Sequence, residues 1–274
     1  MATSGAAILM YHEVTALSKV DALARKTQRS YICTDDEFEA QIRFMHENDF
    51  KMVSLSLLTD AISAGDELPP KTVVITFDDG FEGNYTFAAP ILSKYGATAT
   101  FFVVSNRIGD PFMMSWNQLH TMVEAGFEVQ SHTANHPLLS TLDSAATLAE
   151  FYESKATIEA QLGRRCEYMS LPNGDSNPYV HEHALSCGYK GICGSRFGFN
   201  EDADAFHLDR IAIKGGVSIR DFQRIVCREP ETLRRMRMRA KFKSTIAAVL
   251  GKQRYDKLYN AVYRVEEQDK RRFS

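Results

Sequence analysis

An α/β fold, with βα units arranged as a mainly parallel sheet or barrel, is predicted by three features of this 274-residue chain. Short apolar runs of strand length alternate with longer segments of helical periodicity. Ser or Thr stands where several of the helical segments should start, and glycine where they should stop. The composition, 44% hydrophobic and 24% charged, supplies core enough for one larger domain, or a domain with an appendage.

The elements follow in order. A strand is expected at residues 7–11 and a helix at 35–47, the latter opened by Thr34 with Glu37 in a capping-box pattern. Residues 66–71 read as a turn into a strand at 73–77. A helix over 84–94 should stop at Gly96, before a strand at 98–104 that carries the core pair Phe101 and Phe102. Ser115 with Gln118 opens a helix over 116–125, in which Trp116 is a packing anchor and which Gly126 ends; a strand at 127–131 follows. The longest helix spans 144–162 and stops at Gly163. A strand at 168–171, a helix at 178–186 stopped by Gly188, and a helix start at Ser218 with Asp221 complete the pattern. His46 and His120 lie in helices without a motif, and His181 and His183 read as surface residues.

No apolar run approaches the roughly 18–20 residues of a membrane span, and residues 1–5 lack the basic and apolar regions of a secretory signal. Cys33, Cys166, Cys187, Cys193 and Cys227 are scattered, without a Cys-x-x-Cys pair, and read as reduced thiols of a cytoplasmic protein. A cysteine-ligated metal is not expected. The net charge of −3 conceals a split: residues 232–274 hold 13 Lys/Arg against 4 Asp/Glu, so the rest of the chain carries −12. Residues 1–230 are therefore read as the main domain and 231–274 as a basic amphipathic helical tail. Six cations fall within residues 233–243, and an apolar stripe continues through Tyr263. Such a segment suits peripheral contact with an anionic membrane surface, at the inner face of the membrane, where each cation contributes about 1 kcal/mol. It suits equally a helix docked on the acidic domain. No recognition module accompanies the charge, so nucleic acid is not an expected partner.

Two short segments carry the chemistry: Thr76-Phe77-Asp78-Asp79-Gly80 and Ser131-His132-Thr133-Ala134-Asn135-His136. Each follows an expected strand, and catalytic groups of α/β folds gather at the carboxyl ends of strands. Alone, the first suits a plain turn and the second a surface pair. Together they offer Asp79, His132 and His136 as three ligands of a catalytic divalent metal, with Asp78 spare to accept a proton. A two-histidine, one-carboxylate set suits zinc, and also cobalt, nickel or iron. The combination points to metal-assisted hydrolysis.

These segments resemble the first two motifs of the polysaccharide deacetylase (NodB-homology, carbohydrate esterase 4-like) superfamily. Ile8-Leu9-Met10-Tyr11-His12 and the stretches 90–103, 114–137 and 209–222 resemble the branch that opens with a Tyr-His motif, so the similarity covers about residues 7–225. The resemblance implies a distorted (β/α) barrel, a divalent metal, and removal of N-acetyl groups from sugars. By motif, Asp79, His132 and His136 would hold the metal and Asp78 would be the base. The family's late Leu-x-x-His-like motif is missing; the Tyr-His branch implies His12 as the general acid, with His207 the runner-up. Where the family has Arg-x-Pro-Tyr-Gly or Tyr-Pro-Tyr-Gly, this chain reads Ser170-Leu171-Pro172-Asn173-Gly174. The N–H after that proline, here on Asn173, would still help to stabilise the oxyanion. The lost arginine leaves the tether of Asp78 open: Arg210 could replace it or serve a salt bridge elsewhere. The expected substrate is an N-acetylated amino sugar in a polysaccharide, glycolipid or sugar precursor, a lipid-linked one included. The rivals are an N-formyl sugar or small ureide hydrolase and a sugar-binding pseudoenzyme.

Overall fold

The computed structural model describes residues 5–24, 27–200, 204–236 and 238. The chain divides into two units, Met1–Cys227 and Arg228–Ser274. In the second, residues 230–236 are helical; the expected helical tail beyond Met238, with most of the 233–263 membrane segment, lies outside the described residues.

In chain order the first unit contains β1 (Ala7–Tyr11), β2 (Glu13–Thr15), α1 (Val20–Leu23), β3 (Ile32–Thr34), α2 (Asp35–Glu47), β4 (Lys51–Val53), α3 (Leu55–Ala64) and β5 (Thr72–Phe77). Then come α4 (Ala89–Lys94), β6 (Thr100–Val103), α5 (Trp116–Glu124), β7 (Glu128–Ser131) and α6 (Ser144–Leu162). Finally β8 (Tyr168–Ser170), α7 (Val180–Ser186), β9 (Gly191–Cys193), β10 (Ile211–Ala212) and α8 (Ile219–Val226) complete it. The capping boxes at Thr34 and Ser115 both form, each side chain accepting from the N–H three residues on while Glu37 or Gln118 reaches back. Asn84–Ala88 departs from expectation: it is a π-helical turn, and the α-helix starts only at Ala89.

One curled, wholly parallel sheet runs in the order β10-β1-β5-β6-β7-β8-β9. The β5 edge opposite β1 is shared end to end: β4 pairs with Thr72–Val74 and β6 with Thr76 and Phe77. Leu208, on the way to β10, extends the β9 edge: its N–H donates to Ile192 O (3.0 Å) and its carbonyl accepts from Gly194 N (2.9 Å). The result is a distorted α/β barrel in which all strands point the same way, so every strand delivers its C-terminal residue to one rim. Phe101 and Phe102 alternate across it as strand geometry requires. Phe102 faces inward with Ile8, Val74 and Tyr168, whereas Phe101 stacks on Phe77 with centroids 4.7 Å apart.

Between β7 and β8 the ladder is short, with Ser131 opposite Met169. The buried Gln130 side chain takes over: its Oε1 accepts from Glu167 N (2.8 Å) and Tyr168 N (3.0 Å). Gln130→Leu keeps the volume but leaves two N–H groups without acceptors, at about 1–3 kcal/mol each. Urea unfolding is expected to show a loss of about 2–4 kcal/mol, and an unchanged midpoint would show that the side chain does not serve the ladder.

Candidate active site

Both motifs leave the sheet as continuations of its ladder. Asp78 N–H donates to Tyr11 O of β1 (3.0 Å), and His132 N–H to Val103 O of β6 (2.8 Å). Beyond those points the backbone turns sharply. Asp79 (φ 74°), Thr133 (φ 67°), His136 (φ 59°) and Asn173 (φ 56°) are four of the eight non-glycine residues with positive φ among the described residues. Each such conformation costs of order 1–3 kcal/mol, and such residues cluster at functional sites because the surroundings must hold them there. Here they are held by polar contacts. Ser131 Oγ accepts from Thr133 N (3.1 Å), and Thr133 Oγ1 from His136 N (3.0 Å). Glu150 of α6 accepts from Ala134 N and Asn135 N, both at 2.9 Å. Gly80 needs to be glycine: its φ is +86°, and a Cβ would sit 3.2 Å from Val103 Cγ1.

The turns bring Asp79, His132 and His136 together, their ligand atoms all within 4.8 Å of one another. Asp79 Oδ1 lies 3.5 Å from His132 Nε2 and 3.4 Å from His136 Nε2. His132 Nδ1 lies 2.9 Å from Ser170 O. A proton donated there places it on Nδ1 and leaves the Nε2 lone pair facing Asp79, the arrangement of a metal-binding histidine.

Asp78 stands beside this cluster, with Oδ2 4.0 Å from His132 Nε2. Arg210, fully buried, grips it with two parallel bonds of 2.7 Å, from Nη1 to Oδ1 and from Nη2 to Oδ2. The same guanidinium donates to Thr76 Oγ1 (3.3 Å), Ser170 Oγ (2.7 Å) and Gly194 O (2.7 Å). Of the two roles open for Arg210, the structure gives it the tether of Asp78, and so the positive charge missing from the third motif.

Burial opposes charge on Asp78, but Arg210, then His132 and His12, override it and hold the carboxyl below the usual carboxylate range. Asp79 is likewise opposed by burial and pulled well down by His132, His12 and His136. His132 is raised, because Asp78 and Asp79 outweigh its burial. His136 is lowered by burial and by His132. His12 follows β1 and is lowered by burial, although Asp79 and Asp78 pull it upward. Its ring packs 4.2 Å from that of Tyr31. His207 belongs elsewhere: it is exposed, pairs with Asp204 at 2.7 Å and stacks on His181. Asn173 sits at the tip of the Pro172–Gly174 turn, and its N–H is in no hydrogen bond among the described residues.

A family model described as polysaccharide deacetylase matches residues 65–192. YxkH of Bacillus subtilis is 27% identical over 212 residues, covering 77% of this chain and 72% of its own length. The poly-beta-1,6-N-acetyl-D-glucosamine N-deacetylase of Staphylococcus epidermidis is 27% identical over 209 residues, 69% of this chain and 70% of that one. Among solved structures, the deacetylase PplD of Streptococcus pyogenes, determined with acetate, superposes with a TM-score of 0.72 at 27% identity, over 79% of this chain and 95% of its own. Residues 65–192 of this chain match the polysaccharide deacetylase family.

Within that family framework some site residues escape sequence reasoning. Ser170 was quoted as part of a degenerate motif, yet its carbonyl faces His132 and its hydroxyl donates to Asp78 Oδ2 (3.2 Å). Glu150 carries no motif signal, being one acidic residue on a long helix. His183 is less of a surface residue than expected, its Nε2 lying 2.9 Å from Ser144 Oγ at the start of α6. In the loop at residues 197–200, Phe199 is buried and Asn200 bonds Ala6 O and Asp209 O.

Arg210→Met should cost about 3–5 kcal/mol at neutral pH, the price of leaving Asp78 buried and unpaired. Because the folded pKa of Asp78 is depressed, the pair's stabilisation is present above the unfolded value near ~4 and lost as pH falls through the folded value. Denaturant titrations of both proteins should show a gap that is full at pH 7 and closes under acid; a pH-independent gap would contradict the assigned charges.

Proposed function

We propose that the protein is a metal-dependent hydrolase that removes the N-acetyl group from an amino sugar of a glycan. The observation that carries the reading is the convergence of Asp79, His132 and His136 beside an ionised Asp78 that has no ligand duty. One carboxylate and two imidazoles, one of them oriented by Ser170 O, fit a divalent ion, with zinc the first candidate and cobalt, nickel or iron the others. Bound there, such an ion would supply Lewis-acid polarisation of the acetyl carbonyl and a lowered pKa for water.

The protein's own groups supply the rest. Asp78, kept charged by Arg210, takes a proton from the attacking water. The Asn173 N–H donates to the oxyanion that develops on the acetyl carbonyl oxygen. The proton taken by Asp78 passes to His12, which delivers it to the departing amine, so acetic acid and a free amino sugar leave and both groups return to their starting state. A glycan substrate is supported by the family and by the named activity of the staphylococcal relative. A lipid-linked precursor is included in the proposal, as is peripheral membrane contact through residues 233–263. The missing arginine and tyrosine of the third motif favour a pseudoenzyme, and Arg210 supplies the arginine's charge beside Asp78.

The test is metal per chain in freshly purified protein, followed by acetate release from β-1,6-linked N-acetylglucosamine oligomers. The wild type should hold near-stoichiometric metal and His132→Ala/His136→Ala should hold none. Asp78→Asn and His12→Ala should keep metal and lose about 10²–10⁴-fold in turnover. A wild type that takes up no zinc, cobalt or nickel, or formate released in place of acetate, would overturn the reading.

A further inference from the structure

Among the described residues, the buried side-chain nitrogen and oxygen atoms without a hydrogen-bond partner fall on four residues: His12 Nδ1, Glu13 Oε2, both amide atoms of Asn84, and Ser105 Oγ. All four follow the C-terminal ends of β1, β5 and β6, which are neighbours in the sheet. The unmet polar groups therefore gather under one part of the active-site rim. Buried polar atoms in folded proteins nearly always have partners, and where protein supplies none, ordered water does.

Glu13 and Asn84 are linked through Gly83, which meets the first and precedes the second. Glu13, 1% exposed, lies on β2 and its carboxyl presses on Gly83, the residue before Asn84. A Cβ on Gly83 would fall 1.8 Å from Glu13 Oε1 and 2.1 Å from Val14 O. The backbone of Gly83 is ordinary right-handed helix (φ −61°), so space, not conformation, calls for glycine. Its N–H is directed to the Glu13 carboxyl. Asn84, 0% exposed, then opens the π-helical turn, a geometry frequent at functional sites. Burial, then repulsion from Glu82 and Asp79, raises the Glu13 carboxyl well above the usual carboxylate range, with Lys19 opposing. Glu13 Oε2 and the Asn84 amide, both buried and unpartnered, offer the polar partners that a water needs.

We propose that Glu13 and Asn84 form a buried water-binding site beneath the Asp78–Asn84 segment, and that Glu13 is a positioning residue which holds that segment, and through it Asp79, in place. One water can bond both Glu13 Oε2 and an Asn84 amide atom and leave a bond for a neighbour. The segment begins with Asp79 in a left-handed conformation that it cannot keep unaided. The effect on metal binding rests on the reading of Asp79 as a ligand; the water site does not.

The test combines a high-resolution crystal structure of the full chain with zinc affinity measured by chelator competition. Electron density should show a water bonded to Glu13 Oε2 and an Asn84 amide atom. Glu13→Gln, a neutral mimic, should bind zinc within about twofold of wild type. Glu13→Leu and Gly83→Ala should remain folded by circular dichroism and bind zinc about tenfold more weakly, as loss of an outer-shell partner does. A dry site, Glu13→Gln as impaired as Glu13→Leu, or wild-type zinc affinity in both Glu13→Leu and Gly83→Ala would each overturn the proposal. Should Glu13→Leu fail to fold, the density, Glu13→Gln and Gly83→Ala still decide it. A wild type that holds the water and binds no zinc would sink the metal reading and leave the water site standing.

Discussion

The five N–H donors of Arg210 have five acceptors: the two oxygens of Asp78, Thr76 Oγ1, Ser170 Oγ and Gly194 O. These belong to β5 and the turn after it, to β8, and to the residue after β9, while Arg210 itself leads into β10. A guanidinium and a carboxylate taken out of water together are tolerable only when geometry and remaining hydrogen bonds are complete. Here they are, and the consequence is that four strand ends share one fixed centre. The cation also lies over the Phe102 ring, 5.6 Å from its centroid, so the charge is lidded by the barrel core.

Around that centre the loops are held by smaller devices. Left-handed residues make the turns tight enough to aim side chains back over the rim, and hydroxyl and carboxylate acceptors keep the turns from relaxing. Glu150 is instructive because it acts on the backbone of the histidine loop from a helix, by accepting two adjacent N–H groups. Asn106 Nδ2 reaches Asn135 Oδ1 (3.0 Å), joining the β6 loop to the same segment. The positions of His132 and His136 thus depend on residues that stand outside the cluster they form with Asp79.

Local signals made much of this legible. The α2 and α6 bounds, the two capping boxes, and strand β1 followed from periodicity and cap chemistry, which act within a few residues. The meeting of Asp79, His132 and His136 was legible too, since the two motifs that carry them each sit on contiguous residues. Strands β2, β3, β4, β9 and β10 were not: with two or three residues each, they show no periodicity and exist because neighbours offer a ladder. Arg210 was narrowed to two roles and no further, because its partner Asp78 lies 132 positions away. The π-turn at Asn84–Ala88 was hidden for a related reason, its sequence being compatible with a plain helix start.

Arg210 lies near the C-terminal end of the first unit, and β1 lies near the start of it. During synthesis, then, the Asp79, His132 and His136 side chains exist for a long stretch before the cation that neutralises Asp78 has been made. A chain halted before residue 210 would carry Asp79, His132 and His136 and, in Asp78, a carboxylate with no counter-charge to be buried against. Burial of that centre must therefore wait for nearly the whole unit, and a nascent fragment is denied a finished site by the order in which its residues appear.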